Sequence, residues 1–168
     1  VMYSAEEIKS KVKELAKQIE KDYAGEELLV VGILKGASVF CADLIREIDL
    51  DVRMDFMVVS SYGSSTESSG TVKIIKDLDV DIENKNVLIV EDIIDSGLTL
   101  SSLVAALKTR RPKSLKLCTL LDKPQRRTAN IDVDYVGYVI EDKFIVGYGI
   151  DYDEKYRNLP YIGIVEDI

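Results

Sequence analysis

The feature that most constrains the fold is a strand, turn and helix pattern between Asn86 and Lys108. It opens with four apolar β-forming residues, 87–90, a run typical of a strand buried on both faces. It closes with apolar residues at the spacing of one helical face: Leu100, Leu103, Val104 and Leu107. Ligands of open α/β sheets bind at the carboxyl ends of such strands. The pattern therefore predicts an α/β fold with a ligand site after this strand.

The residues between strand and helix are suited to a sugar phosphate. Residues 96–99 bring backbone N–H groups and two hydroxyls to a helix start, where the helix dipole favours an anion. Gly97 lets the backbone approach that anion without a Cβ in the way. Glu91 and Asp92 are too acidic to hold a phosphate, and they suit sugar hydroxyls or a hard cation such as Mg²⁺. Asp95 lies between the two groups, in a position suited to proton transfer.

The segment 87–99, VLIVEDIIDSGLT, resembles the phosphoribosyl-pyrophosphate (PRPP) signature of type I phosphoribosyltransferases. Within that family it is most similar to the enzymes that act on hypoxanthine and guanine. The resemblance implies one domain over residues 1–168, with a central parallel sheet flanked by helices. It also implies a small hood subdomain, built from the N-terminal edge and the region after about residue 123. The alternative is a receiver-like or other doubly wound domain, but a receiver carries its acidic strand near the N-terminus, whereas this strand is in mid-chain.

Composition and charge limit the possible functions. The 168 residues carry a formal net charge of −8, which argues against nucleic acid or an anionic membrane as a partner. There is no histidine, which excludes His-based zinc sites and Ser-His or Cys-His nucleophiles. No apolar run is long enough to span a membrane. Cys41 and Cys118 lie in apolar segments, and we expect reduced core thiols in a cytoplasmic protein. Because Val1 precedes Met2, we expect part of the N-terminus to be missing.

The remaining elements follow from periodicity and turn residues. A capping box at residues 4–7 predicts a first helix that ends at 23–25, and residues 38–48 form a second helix. The third helix ends at 110–112. Strands are predicted at 28–34, 52–61, 114–121, 135–140 and 161–165, with an antiparallel partner at 71–77. The strand at 52–61 should place one set of side chains on a common side: Val52, Met54, Phe56 and Val58.

Two loops lie close to this predicted sheet edge. Lys35 and Gly36 follow the first strand and offer a cation and unhindered N–H groups, although a plain tight turn is the simpler interpretation. By resemblance they form the family's pyrophosphate loop, in which relatives often have a non-proline cis peptide before the lysine. Residues 62–70 are small and polar, typical either of a hairpin connection or of a lid. Ser61 and Tyr62 match the family's active-site lid loop.

The resemblance also implies a purine site in the second half of the chain. A lone lysine before a proline is usually a solvated turn residue, but Lys123 matches the lysine that donates to O6 of a purine. Such a donor favours 6-oxopurines over adenine. Phe144 would stack on the base, unless it is an ordinary core residue, and the backbone of Ile145 would contact the base edge. Asp151 would bind a second Mg²⁺ or lie beside the purine 2-position.

The remaining assignments are also implied by the resemblance. Arg157 matches an arginine that contacts pyrophosphate, and Leu98 stands where some relatives have a lysine, which should weaken phosphate affinity. Arg126 and Arg127 are interpreted as solvated surface or a subunit contact. The PRPP and nucleotide set is Lys35, Gly36, Glu91, Asp92, Asp95, Ser96, Gly97, Leu98, Thr99 and Arg157. The metal ligands would be Glu91, Asp92 and Asp151, with Mg²⁺ as the cofactor and Mn²⁺ as a substitute.

The implied function is transfer of the 5-phosphoribosyl group of PRPP to N9 of hypoxanthine or guanine, giving IMP or GMP and pyrophosphate. Asp95 would be the catalytic residue, and the enzyme would be a homodimer or homotetramer. The alternative is a PRPP- or nucleotide-sensing regulatory protein on the same fold, without turnover. The presence together of five functional side chains favours the enzyme: Lys35, Asp95, Lys123, Asp151 and Arg157.

Overall fold

A computed structural model describes residues 1–61 and 72–166. A six-stranded sheet has the order β3-β2-β1-β4-β5-β6, and a separate two-stranded sheet pairs β7 with β8. The helices are α1 (Ala5–Asp22), α2 (Ser38–Glu47) and α3 (Leu98–Lys108), with a 3₁₀ turn at Pro124–Arg126. The strands are β1 (Glu27–Ile33), β2 (Asp51–Ser61), β3 (Val72–Lys76), β4 (Asn86–Ile94), β5 (Ser114–Asp122), β6 (Tyr135–Val139), β7 (Ile145–Val146) and β8 (Gly163–Ile164).

The first helix begins where the sequence predicts. The Ser4 hydroxyl accepts a hydrogen bond from the Glu7 amide, and the Glu7 carboxylate accepts one from the Ser4 amide. This capping box satisfies two amides that a helix start otherwise leaves unpaired. One face of α1 is buried against the sheet, and it consists of Ile8, Val12, Leu15, Ala16 and Ile19.

The predicted parallel sheet is confirmed, and its topology fixes where a site can form. Strand β1 pairs in parallel with β2 and β4, β4 with β5, and β5 with β6, whereas β3 is an antiparallel edge strand. The carboxyl ends of β1, β4 and β5 therefore meet at one edge. One core cluster packs α1 and α2 on one face of the sheet. A second cluster packs α3 on the other face.

The chain ends meet near the small sheet. Tyr3 forms an isolated antiparallel bridge with Ile162, next to the pairing of Val146 with Gly163. The amide of Val165 donates to the carbonyl of Phe144 at 2.8 Å, which extends this connection. The region after β6 is therefore joined to the start of the chain by backbone hydrogen bonds.

One prediction about strands is wrong in detail. Strand β4 continues to Ile94, so Glu91 and Asp92 are strand residues and not turn residues. Pairing with β5 continues as far as Ile94, which is in register with Asp122. This pairing provides hydrogen bonds for the backbone N–H and C=O groups of the acidic residues, so the strand continues through them. In β2, Met54 is 45% exposed, whereas Asp55 and Met57 on the opposite side are buried. The carboxylate of Asp55 accepts hydrogen bonds from the amides of Phe56 and Asp79, which makes its burial possible.

Both cysteines are confirmed as free, buried thiols. Within residues 1–61 and 72–166, no helix has the length and apolar character needed to cross a bilayer. The last predicted strand is shorter than expected, because only Gly163–Ile164 pairs with β7.

Candidate active site

The turn between β4 and α3 forms the floor of a pocket of ≈170 Å³, which is lined by residue 91 and residues 93–100. Gly97 precedes the helix with φ of +77°, a conformation that other residues rarely adopt. Within residues 1–61 and 72–166, the amides of Ser96, Gly97, Thr99 and Leu100 donate to no acceptor. The Leu98 amide donates to the Ser96 hydroxyl at 3.3 Å. Free amides at a helix start form an anion site.

The end of β2 reaches this turn. The hydroxyl oxygens of Ser61 and Thr99 lie 3.0 Å apart and share a hydrogen bond. Ser61, one of the two predicted lid residues, is therefore adjacent to the predicted phosphate turn. The other lid residue, Tyr62, lies outside the residues that the structure describes.

Two half-buried carboxylates, Glu91 and Asp92, lie side by side on β4 before the turn. Burial raises the pKa of Asp92 from 3.8 to about 6, and the nearby Asp95 carboxylate acts in the same direction. Its amide hydrogen bond from Ile93 and the charge of Arg157 oppose that rise. Burial, followed by repulsion from Asp92, also raises the pKa of Glu91 well above its ordinary value. A cation or a set of hydroxyl donors would lower both values, because each favours the ionised form.

The predicted pyrophosphate loop packs directly against the Asp92 carboxylate. A Cβ added to Gly36 would lie 2.0 Å from an Asp92 carboxylate oxygen, so a larger residue there would have to displace that carboxylate. A Cβ on Gly149 would lie 2.5 Å from the carbonyl oxygen of Gly36. The peptide bond between Leu34 and Lys35 is cis. Two glycines thus allow three segments of the chain to meet at the carboxyl edge of the sheet.

A network of ion pairs and hydrogen bonds connects Lys35 with the residues after Gly149. Arg157 donates to the carbonyl of Gly149 at 2.8 Å and to Glu154 at 3.3 Å, and it lies 3.7 Å from Asp151. The Lys35 ammonium lies 3.3 Å from a carboxylate oxygen of the same Glu154. The Glu154 amide donates to Asp151 at 2.8 Å. Glu154 therefore joins Lys35 to Asp151 and Arg157, which are distant from Lys35 in sequence.

Lys123 is a buried lysine at the end of β5, with 8% of its surface exposed. Its ammonium lies 3.7 Å from an Asp95 carboxylate oxygen and 3.4 Å from one of Asp142. A buried ammonium needs such partners, because desolvation otherwise disfavours its charge. The interpretation of Lys123 as a solvated turn residue is therefore wrong.

Phe144 and Ile145 follow in the region expected to bind the base. Phe144 is 52% exposed, so the alternative that it is a core residue is wrong. Its ring meets that of Tyr152 edge-to-face, with 5.4 Å between centroids. Ile145 is buried in β7 and pairs with Ile164. An exposed aromatic face suits stacking on a flat heteroaromatic base.

Three residues near the site were not predicted. Asp142 pairs with both Lys123 and Arg126, and Glu154 joins Lys35 to Arg157. Arg127 was interpreted as surface, but its guanidinium donates to the buried Asp122 carboxylate and to the carbonyl of Asp95. Apart from Glu154 and Arg157, which are three residues apart, none of these pairs has a helical or strand spacing, so no sequence pattern could have identified them.

The acidic side chains fit a metal that is shared with a substrate. Within residues 1–61 and 72–166, no group of three or more acidic or thiol side chains could hold a metal by itself. Asp92 uses one carboxylate oxygen to accept the Ile93 amide, and Asp151 uses one to accept the Glu154 amide. Each residue keeps a second oxygen, and Mg²⁺ typically takes one or two carboxylates together with phosphate oxygens and water.

Comparison with known proteins gives consistent matches. A family model described as phosphoribosyl transferase domain matches residues 2–153. A hypoxanthine-guanine phosphoribosyltransferase of Bacillus subtilis is 57% identical over 166 residues, which cover 99% of this chain and 92% of that protein. A bifunctional TilS/HprT protein of Listeria monocytogenes is 55% identical over 166 residues. The chain spans only about a quarter (26%) of the length of that bifunctional relative.

Solved structures agree with the sequence matches. A hypoxanthine-guanine phosphoribosyltransferase of Bacillus anthracis, with a HEPES molecule in its active site, superposes with a TM-score of 0.94 at 58% identity. That match covers 97% of this chain and 96% of the other. A hypoxanthine phosphoribosyltransferase of Staphylococcus aureus superposes with a TM-score of 0.96 at 54% identity, covering 99% of this chain and 90% of the other.

The raised pKa of Asp92 predicts a specific pH dependence of stability. Between about pH 4 and 6 the folded chain retains a proton that the unfolded chain has released, so this group's contribution to stability falls as pH rises. Asp92→Asn removes the cost of ionising the buried carboxyl. We expect the variant to equal the wild type near pH 4 and to exceed it at pH 7.5 by on the order of 1–3 kcal/mol.

Urea unfolding at the two pH values measures this difference. The matched control is Asp132→Asn, at an exposed position, which should change the free energy of unfolding by the same small amount at both pH values. If Asp92→Asn is no more stable than the wild type at pH 7.5, ionisation of the Asp92 carboxyl does not destabilise the folded chain, and the prediction is wrong.

Proposed function

The chain belongs to the phosphoribosyltransferase family, and from that premise we propose that it transfers the 5-phosphoribosyl group of PRPP to N9 of hypoxanthine or guanine, with IMP or GMP and pyrophosphate as products. The observation that carries the choice of substrate is the buried ammonium of Lys123, 3.7 Å from Asp95 and beside the phosphate turn. A donor at that point can bond to O6 of a 6-oxopurine, and the amino group of adenine cannot accept it.

The binding roles follow from the chemistry of each group. Residues 96–99 hold the 5′-phosphate through free amides and the hydroxyls of Ser96 and Thr99. The ribose hydroxyls donate to Glu91 and Asp92, whose raised pKa values then fall towards ordinary values. The pyrophosphate lies against Lys35, Gly36 and Arg157.

The base occupies the space between Lys123 and Phe144. The exposed Phe144 ring stacks on the purine, and the backbone of Ile145 with the carboxylate of Asp151 meets its edge. A lid over the site is proposed from the family resemblance, and Ser61, 3.0 Å from the Thr99 hydroxyl, belongs to it. A closed lid excludes water, which would otherwise hydrolyse the sugar cation that forms as pyrophosphate leaves.

Asp95 is the proposed catalytic residue. It accepts or holds a proton at N7 of the purine while N9 attacks the sugar, and its ion pair with Lys123 keeps its carboxylate beside the base. Asp92 and Asp151, with Glu91 beside them, are the residues that would hold Mg²⁺ together with PRPP oxygens. When bound, Mg²⁺ supplies positive charge that stabilises the departing pyrophosphate, and Mn²⁺ is a suitable substitute.

The cellular setting belongs to the same proposal. Two free, buried thiols and a formal net charge of −8 support a cytoplasmic protein without a nucleic-acid or membrane partner. A homodimer or homotetramer is proposed from family membership alone. The small sheet of β7 and β8, with the start of the chain, is the proposed hood subdomain.

A direct assay tests the proposal. The chain is incubated with PRPP, Mg²⁺ and, in turn, hypoxanthine, guanine, xanthine or adenine, and the nucleotide product is measured. We expect hypoxanthine and guanine to react with kcat/KM values about 10²-fold or more above that of adenine. Activity should disappear with EDTA and return with Mg²⁺ or Mn²⁺. If adenine reacts at a comparable rate, the proposed role of Lys123 is wrong. If the chain binds PRPP but forms no nucleotide from any base, the alternative of a nucleotide-sensing protein is favoured.

The proposed proton transfer predicts a split between kinetic parameters. Asp95→Asn keeps the size of the side chain but cannot take a proton, so kcat for hypoxanthine should fall by about 10²–10⁴-fold with KM for PRPP changed much less. Asp92→Asn should instead mainly raise KM for PRPP. Steady-state kinetics of both variants separates the two roles, with Asp51→Asn as the control, because Asp51 is exposed and begins β2 at the opposite end of the parallel strands. A near-normal kcat for Asp95→Asn means that the proton leaves by another route.

A further inference from the structure

Three consecutive carbonyl groups of the predicted phosphate turn are held by one other piece of chain, residues 123–129, here called the backing segment. The Lys123 amide donates to the carbonyl of Ile94 at 3.0 Å. The Arg127 guanidinium donates through Nε to the carbonyl of Asp95 at 3.1 Å. The carbonyl of Ser96 accepts from the amides of Thr128 at 3.0 Å and Ala129 at 3.1 Å.

These hydrogen bonds determine where the turn amides point. A peptide group is planar and trans, so the carbonyl of one residue and the amide of the next face in opposite directions. Fixing the carbonyls of Asp95 and Ser96 against the backing segment therefore turns the amides of Ser96 and Gly97 to the other side. These turn residues line the pocket of ≈170 Å³, and no residue of the backing segment lines it, so we place the pocket on that other side.

Arg127 is the only side chain among these donors. Its guanidinium is held by an ion pair with Asp122, and the two side chains are 19% and 12% exposed. Its Cδ lies 3.2 Å from the ideal Cβ position of Gly97, so the arginine stem also packs against the turn. The planar guanidinium can bond to a carboxylate and a carbonyl at the same time, which a lysine ammonium on a flexible stem does poorly.

We propose that Arg127 is a positioning residue for the phosphate site. It does not touch substrate. Bound to Asp122, it holds the peptide group between Asp95 and Ser96 so that the turn amides are oriented for an anion before that anion arrives. The identity of that anion, the 5′-phosphate of PRPP, rests on the proposed function. The orientation of the amides does not depend on it.

The first test compares a phosphorylated with an unphosphorylated ligand. GMP and guanosine are titrated by calorimetry into the wild type, Arg127→Met and Arg127→Lys. We expect both variants to bind GMP about tenfold or more weakly, because a turn carbonyl loses its charged donor, while guanosine affinity changes less than about threefold. Arg53→Met is the matched control: Arg53 pairs with Glu27 at the opposite end of the strands, and this variant should bind both ligands as the wild type does.

The Lys variant distinguishes orientation from charge. If Arg127→Lys binds GMP as tightly as the wild type, a positive charge suffices and the proposal is wrong. Equal losses for GMP and guanosine in Arg127→Met also overturn it, because the defect would then be general. If Arg127→Met fails to fold with an unpaired Asp122, the double variant Asp122→Asn/Arg127→Met removes that charge and should show the same selective loss. A double variant with normal GMP affinity overturns the proposal.

Kinetics adds a second readout. Arg127→Lys should raise KM for PRPP by about tenfold or more and leave the pH profile of kcat in place, because Asp95 remains beside Lys123. A wild type that binds GMP but forms no nucleotide contradicts the proposed function and leaves the binding test of Arg127 intact. A wild type that binds GMP no more tightly than guanosine contradicts the inference itself.

Discussion

The site depends on how the backbone is held at the end of β4. Parallel pairing with β5 continues to the register of Ile94 with Asp122, and the backing segment then binds the next two carbonyls. Because each of these carbonyls is satisfied away from the pocket, the amides that follow are free to face it. Lys123 follows the paired end of β5 and donates its amide to the carbonyl of Ile94, so the proposed base and phosphate subsites are parts of one hydrogen-bonded unit.

A second constraint is the burial of Glu91 and Asp92. Burial raises the pKa of both carboxyl groups, with repulsion from Asp92 adding to the rise at Glu91 and repulsion from Asp95 adding to that at Asp92, and this is unfavourable for folding at neutral pH. The glycine at position 36 makes the arrangement possible, since a side chain there would occupy the space of the Asp92 carboxylate. Polar groups that destabilise a strand end in this way are typical of sites that gain their partners from a ligand.

Much of the fold could be predicted from sequence, because apolar periodicity and capping are local properties. The capping box at Ser4 and the apolar face of α3 are examples. The acids of β4 suggested a turn, but pairing with β5 keeps them in the strand. The contacts of Arg127 could not be predicted, because its two partners are brought to it by tertiary structure: Asp122 is five residues away, and Asp95 is 32 residues away. The burial of Lys123 and the exposure of Phe144 depend in the same way on neighbours distant in sequence.

A crystal structure of the chain with bound GMP tests the central claim most directly. The account predicts phosphate oxygens within about 3 Å of the backbone nitrogens of Gly97 and Thr99, and guanine O6 at a similar distance from the Lys123 ammonium. The carbonyls of Asp95 and Ser96 should keep their bonds to the backing segment. A phosphate bound instead at Lys35 and Gly36, or a base that lies away from Lys123, would contradict it.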